Sequence, residues 1–314
     1  MKGFNTPVLF LVFNRPDTTR KVFEKIRQAK PPRLYVAADG PRKDNPGEEA
    51  LCQQVRDIAT DVDWDCEVKT LFRDDNLGCK HAVSSAIDWF FQQEEMGIIL
   101  EDDCLPNQSF FQFCEKILER YKSDDRIMHI NGNNYGAHNS NFSQSNYSYH
   151  FGRMPQAWGW ASWRRAWKKF QWRLENYQNF KEIDYLENVF SKKNHIKRQI
   201  KRWELVQNEK IDTWDFQWQY AVISNHGLTV VPKKNLISNI GFGENATHTK
   251  SDNSHKAAIK AEEIEIPLSH PDIIVPDQKI DFWYQKIDFW YQKNMLGFLS
   301  LSERVKIKIK LLMK

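Results

Sequence analysis

The sequence is short of cysteine and does not pair it. Its 314 residues hold five, Cys52, Cys66, Cys79, Cys104 and Cys114, with no C-x-x-C among them. That odd, scattered set excludes a zinc ribbon or a disulfide framework and predicts reduced thiols in a cytoplasmic chain. The apolar run at the N-terminus, Val8 to Phe13, ends in Asn14-Arg15-Pro16. It is too short to cross a bilayer and has no small-residue cleavage site behind it, so a first buried strand is expected instead of a span or an export signal. Without such a signal, the Asn-x-Ser/Thr matches at Asn107, Asn141, Asn146 and Asn245 read as chance. No strong charge of one sign is present: 45 Lys and Arg face 41 Asp and Glu, a net of +4. That balance suits an anionic small ligand or surface and does not call for nucleic acid. The chain also lacks G-x-x-x-x-G-K-[ST], which excludes a P-loop enzyme. No G-x-G-x-x-G follows the first strand, which disfavours a dinucleotide oxidoreductase.

Aromatic residues are what the chain has in excess, 13% of the total with 12 Trp. About half of the Trp are expected in the core, the rest as platforms for flat ligands. The first third alternates strand-like and helix-like segments: PVLFLVF, DTTRKVFEKIRQA, RLYVAADG, GEEALCQQVRDIAT, CEVKTLFRD, CKHAVSSAIDWFFQQ and GIIL. This is the β-α alternation of an open parallel sheet covered by helices. Right-handed crossovers bring all the strand C-termini to one edge, where ligands of such sheets bind. Asn14-Arg15, Asp39-Gly40, Asp74-Asp75-Asn76 and Glu101-Asp102-Asp103 all lie there.

Three carboxylates at the mouth of a buried strand repel one another unless a cation sits among them or one takes a proton. A hard divalent ion with oxygen ligands is the economical expectation, and such an ion usually serves a polyphosphate substrate. The loop after strand one, FNRPDTTR, lacks the glycines of a nucleotidyltransferase. A nucleotide-sugar enzyme is what remains.

The blocks VFNRPDTTRKVFEKI, YVAADGPR, DNLGCKHAVSSAIDWFF, GIILEDDCLPNQSFFQF, HINGNNYG, MPQAWGWASW, DTWDFQW and VVPKKNLISNIGFGENATHT cover most of residues 7–250. In this order they resemble the GT-A-fold glycosyltransferases, and within them the N-acetylglucosaminyltransferase I type of inverting enzyme. The resemblance implies an α/β chain with a Rossmann-like, mostly parallel central sheet flanked by helices and an acceptor-side subregion. It implies that Arg15 contacts the nucleotide or its phosphates and Asp39 the uracil, with Lys80 or His81 near the base and ribose. Glu101 would reach sugar hydroxyls, Asp102 the ribose, and Asp103 would ligate Mn²⁺ or Mg²⁺. Asp215 matches the catalytic base. The family has a second acid after it, where this chain has Phe216 and Gln217, so Asp212 stands as the fallback. Flanking Trp214, Phe216 and Trp218 would desolvate Asp215 and raise its pKa; capping a helix is its other reading.

The stretch Gly241 to His255 resembles the family's donor-closing loop, with His248 near the diphosphate or incidental. Of Trp158, Trp160 and Trp163, at least one is expected in the core and another, Trp160, against a sugar. Arg164, Arg165, Lys168, Lys169 and the run from Lys192 to Arg202 form basic faces, either solvated or turned to an anionic, lipid-linked glycan. The tail, with Lys306, Lys310 and Lys314 opposite Leu301, Val305, Ile309 and Leu312, suits peripheral membrane contact on a helix and a strand edge at period two. Lys279–Gln285 is repeated at Lys286–Gln292. The expected division is a nucleotide-sugar half (1–130), an acceptor half of the same domain (131–256) and a C-terminal extension (257–314). The expected activity is metal-dependent, inverting transfer from a UDP-sugar, N-acetylglucosamine among them, to a saccharide of a bacterial surface glycan. A sugar nucleotidyltransferase and a non-catalytic glycan or lipid binder are the alternatives.

Overall fold

A computed structural model describes residues 4–137, 146–182, 184–241 and 259–285. The first half runs β1 (Val8–Val12), α1 (Pro16–Ala29), β2 (Arg33–Ala38), α2 (Glu48–Thr60), β3 (Glu67–Phe72), α3 (Gly78–Gln93), β4 (Met96–Glu101), β5 (Cys104–Pro106) and α4 (Gln108–Arg120). The second runs β6 (Ile127–Asn131), β7 (Tyr149–Gly152), β8 (Trp160–Trp163), α5 (Arg164–Trp167), α6 (Tyr177–Glu182), α7 (Tyr185–Val189), α8 (Lys193–Gln207), α9 (Asp215–Ser224), β9 (Leu228–Pro232) and β10 (Ile237–Asn239). Residues 278–285 are also helical.

Eight strands form one sheet in the order β3-β2-β1-β4-β8-β6-β9-β7, while β5 and β10 make a separate antiparallel pair. β1, β2, β3 and β4 are mutually parallel, as are β6 and β9. β8 runs against both β4 and β6, so six strands share one direction and their C-termini share one edge. The fold is mixed α/β, a large and mostly parallel sheet flanked by helices. The sheet passes without a break from the first half of the chain into the second.

Period-two alternation sets the two faces. Val8, Phe10 and Val12 pack with Val22, Phe23 and Ile26 of α1 and with Phe110 and Phe113 of α4. Leu9 and Leu11 pack on the other side with Ala86 and Phe90 of α3 and with Trp218 and Val222 of α9. β1 is therefore buried at every position, as a central parallel strand must be. Each such side chain withdrawn from water contributes about 1.5–3 kcal/mol. A third cluster joins Tyr177, Phe180, Trp203 and Tyr220 to Ile280 and Tyr284.

Several surface expectations change on this frame. Asn107, a chance glycosylation match in the sequence, is the N-cap of α4: its side chain accepts the Phe110 N–H at 3.0 Å. Arg164 and Arg165 do not present a basic face. Arg164 Nε donates to the carbonyls of Phe91 and Glu94, and Arg165 donates to those of Tyr121 and Lys122. Arg202 is buried over the Phe216 ring at 4.8 Å. Among the described residues no helix is long and apolar enough to cross a membrane. The tail from Leu301, His248 with most of its loop, and the second copy of the repeat lie outside the described residues.

Candidate active site

The acids and Arg15 meet because β1 and β4 are neighbours, with Leu11 paired to Glu101. The chain leaves β1, and Arg15 stands at the N-terminus of α1, its carbonyl accepting Thr19 N and Thr19 Oγ1 at 3.0 and 2.7 Å. Its guanidinium folds over the end of β4. Nε lies 3.3 Å from Asp102 Oδ2, Nη2 grips Asp102 Oδ1, and Nη1 lies 3.0 Å from Asp103 Oδ2. The cation among the carboxylates in this structure is thus Arg15. Although burial opposes its charge, the two aspartates keep Arg15 firmly protonated.

The proton solution is present as well. Burial, then the charges of Asp103 and Asp102, push the Glu101 carboxyl well above the usual range. Burial also raises Asp102, against the pull of Arg15. The folded chain therefore favours protonated Glu101, and the cost of ionising it accumulates as pH climbs from the ordinary carboxylate range to the raised value. Below that window both states are protonated and nothing is lost. Glu101→Gln should accordingly match the wild type in stability near pH 4 and exceed it by about 1–3 kcal/mol near pH 8, because every pH unit by which folding delays the ionisation costs roughly 1.4 kcal/mol. Urea midpoints across that range at constant m are the check.

Asp39 and Asp212 stand on either side of the first turn of α3. Asp39 accepts the N–H groups of Gly40 and Leu77 at 3.0 Å and of Gly78 at 3.2 Å. Asp212 accepts those of Cys79 and Lys80, each at 2.9 Å. Two carboxylates from distant parts of the chain thus satisfy four consecutive N-terminal donors of one helix. The close approach needs glycine. A Cβ on Gly40 would fall 2.5 Å from the Asp75 carbonyl carbon, and Gly78 has φ +76° with Asp212 Oδ2 at 2.7 Å from its would-be Cβ. Asp212, the fallback base, is a brace between α3 and α9. Asp39 is a brace of the same kind, its carboxylate accepting three backbone N–H groups. Lys80 is buried on the same turn. His81 is exposed and stacks on Trp172, ring centres 4.3 Å apart.

Glu48 has no counterpart in the sequence reading. It is fully enclosed and receives Asn14 Nδ2 at 2.8 Å, Asn45 Nδ2 at 2.8 Å and Arg42 N at 2.7 Å. Burial alone would raise its carboxyl, but Arg42 and these donors hold it down at about 2. It ties the loop after β1 to the loop after β2. The acid at the start of a helix, three residues after an Asn, is the signal that could have found it.

Asp215 opens α9. Its Oδ1 accepts Thr213 Oγ1 and, at 3.0 Å, Phe216 N. Behind burial, the charge of Asp215 is among the causes that raise the Glu101 carboxyl and the Cys79 thiol above their usual ranges. Trp214 and Trp218 beside it are buried. Trp160 does not line the donor side. It is 0% exposed, stacked on His129 at 4.9 Å and on Trp214 at 5.6 Å, and so belongs to the core beneath the site. His129 is enclosed in the same group, between Trp218 Nε1 at 3.0 Å and the Gln156 carbonyl at 3.1 Å. Burial holds it neutral, with its pKa down at about 3.

β10 closes over Asp103. Pairing with β5 brings Ile240 N to the Asp103 carbonyl at 2.9 Å and sets Gly241 against the Asp103 carboxylate. A Cβ on Gly241 would lie 2.1 Å from Asp103 Oδ2 and 2.7 Å from Asp103 Cβ. Gly241→Ala should push Asp103 off Arg15 and destabilise the chain by about 1–3 kcal/mol, the cost of overpacking, as read by urea unfolding.

Among the described residues no three His, Cys, Asp or Glu side chains gather to hold an ion. The donor set therefore does not fit a metal held by protein alone.

No family model matches the chain, and no curated protein matches it. Among solved structures it is similar to UDP-glucose pyrophosphorylase complexed with UDP-glucose, at 11% identity and TM-score 0.26, over 40% of this chain and 56% of that one. It is similar also to the apo form of mouse xyloside xylosyltransferase 1, at 8% identity and TM-score 0.34, over 70% of this chain and 81% of that one. The chain thus spans little more than half the length of the pyrophosphorylase it matches.

Proposed function

We propose that this chain is an inverting glycosyltransferase that uses a UDP-sugar and an Mg²⁺ or Mn²⁺ ion. The observation that carries the reading is one edge of the sheet where Arg15 bridges Asp102 and Asp103 beside Glu101 at the end of β4. Arg15 is the cation a diphosphate would meet there. Asp103, with diphosphate oxygens, would hold the ion, which would neutralise charge on the leaving phosphate. Glu101, kept protonated at the donor side, offers both a donor and an acceptor to sugar hydroxyls.

Transfer by inversion needs one base and no enzyme nucleophile. Asp215, oriented by Thr213 and Phe216 N, takes the proton of the acceptor hydroxyl as that oxygen bonds to the anomeric carbon. The bond from that carbon to the phosphate oxygen breaks, and UDP leaves. The buried Trp214 and Trp218 limit water at the base. The acceptor in this reading is a saccharide of a bacterial surface glycan, and UDP-N-acetylglucosamine is the first donor to try.

The test is product analysis. The chain, a UDP-sugar, Mn²⁺ and a panel of saccharide acceptors should yield UDP and a glycoside whose anomeric NMR signal is inverted. A retained anomer would overturn the mechanism. Pyrophosphate release from UTP and a sugar 1-phosphate would replace the reading by nucleotidyl transfer.

A further inference from the structure

Lys279–Gln285 and Lys286–Gln292 are the same seven residues, Lys-Ile-Asp-Phe-Trp-Tyr-Gln. The first copy is docked by four side chains on one helical face. Ile280 and Tyr284 enter the third core cluster. Asp281, 3% exposed, accepts Arg153 N at 2.7 Å and Arg153 Nη1 at 3.1 Å. Tyr284 donates its hydroxyl to the Asn133 carbonyl at 2.9 Å. Gln285 Oε1 accepts Ser191 N at 3.2 Å, and its Nε2 donates to the Val189 carbonyl at 2.8 Å. The same four residue types recur at Ile287, Asp288, Tyr291 and Gln292. Seven residues are two helical turns to within about 20°, so a helix carrying both copies repeats this face.

We propose that the cleft made by Arg153, Asn133, Val189 and Ser191 reads the heptad itself, and that the second copy in the same chain can replace the first in it. The C-terminal helix then has two docked registers, seven residues or about 10 Å of helix apart. What precedes the heptad ranks them. In the first register Asp277 caps the helix through Lys279 N at 2.8 Å, its own N–H reaches the Phe151 carbonyl at 2.8 Å, and Pro276 bridges Phe151. In the second, Tyr284 and Trp283 fall at those places and supply neither the carboxylate nor the bridge. Loss of an Asp cap alone favours the first register by about five- to tenfold. The occupant of the second register is fixed by sequence identity and not by the enzymatic reading.

Thermal unfolding of the full chain tests it with near-isosteric variants. Asp288→Asn should leave Tm unchanged. Asp281→Asn should lower it by only about 3 °C, because Asp288 enters the cleft. The double variant should lower it by about 10 °C or more, since Arg153 then has no carboxylate in either register. In a chain lacking one heptad (deleting either gives the same sequence) Asp281→Asn alone should cause the full loss. Trapping reports the register even in a weakened protein: Ser191→Cys with Gln292→Cys should link within one chain, by peptide mass mapping, in the Asp281→Asn background and not in its parent. Equal damage from Asp281→Asn and the double variant would overturn the proposal. So would the absence of a 191–292 link, or its formation only between two chains.

Discussion

Asp215→Asn is expected to lower kcat by about 10²–10⁴ with little change in the KM for the nucleotide sugar, the range for losing a positioned general base. Asparagine keeps the side-chain shape, and its carbonyl can still accept Thr213 Oγ1 and Phe216 N, the two groups that orient Oδ1. What is lost is the capacity to take the acceptor's proton. The acidic limb of the pH-rate profile should disappear with it, which loss of packing alone would not cause. Full kcat in the variant would remove Asp215 from the mechanism and leave it as the first residue of α9.

Arg15→Ala is expected to have the largest effect on stability. Asp102 is 3% exposed and Asp103 is its neighbour; without the guanidinium neither has its counter-charge. Removing one partner of a buried pair costs about 3–5 kcal/mol at neutral pH. The sign with pH follows from Asp102, whose carboxyl already lies above the usual range. In the variant the folded state favours protonated Asp102 still more, so the defect grows as pH rises above about 6, where the wild-type carboxyl ionises, and shrinks below it. Asp102→Asn combined with Arg15→Ala should be less damaging than the sum of the two, by about 1–3 kcal/mol in a double-mutant cycle. Arg15→Lys should restore little, because a single ammonium cannot reproduce the Nε and Nη2 contacts to one carboxylate together with Nη1 to the next. Urea unfolding at pH 5 and pH 7.5 is the check.

The sheet edge is legible in the sequence because its signal is local. β1, β2 and β4 are apolar runs ended by a turn residue or an acid, β3 alternates polar and apolar residues, and each intervening helix carries apolar residues at helical spacing. From these the meeting of Arg15 with Asp102 and Asp103 follows by topology. The second half is less legible where pairing is non-local. β8 enters the sheet antiparallel between β4 and β6, so Trp160 is drawn into the core beside His129 and Trp214. Nothing in the spacing of Trp158, Trp160 and Trp163 distinguishes that from an exposed platform. Asp212 shows the same limit. Its carboxylate caps a helix more than 130 residues earlier in the chain, a partnership no window of sequence contains. Asn107 is obscured for the opposite reason: a short motif of another meaning overlies a plain N-cap.

The central claim is that the Arg15-centred acids form the diphosphate end of a nucleotide-sugar site. Its most direct test is the thermal midpoint of the intact chain with UDP, UDP-N-acetylglucosamine and UTP, each with Mn²⁺ and with chelator, for the wild type and Asp103→Asn. A ligand at a hundred times its Kd adds about 2.7 kcal/mol. The account predicts a rise of several degrees with UDP and the UDP-sugar in Mn²⁺, reduced by chelator and abolished in Asp103→Asn. A midpoint that no uridine nucleotide moves, or that UTP alone moves, would contradict it.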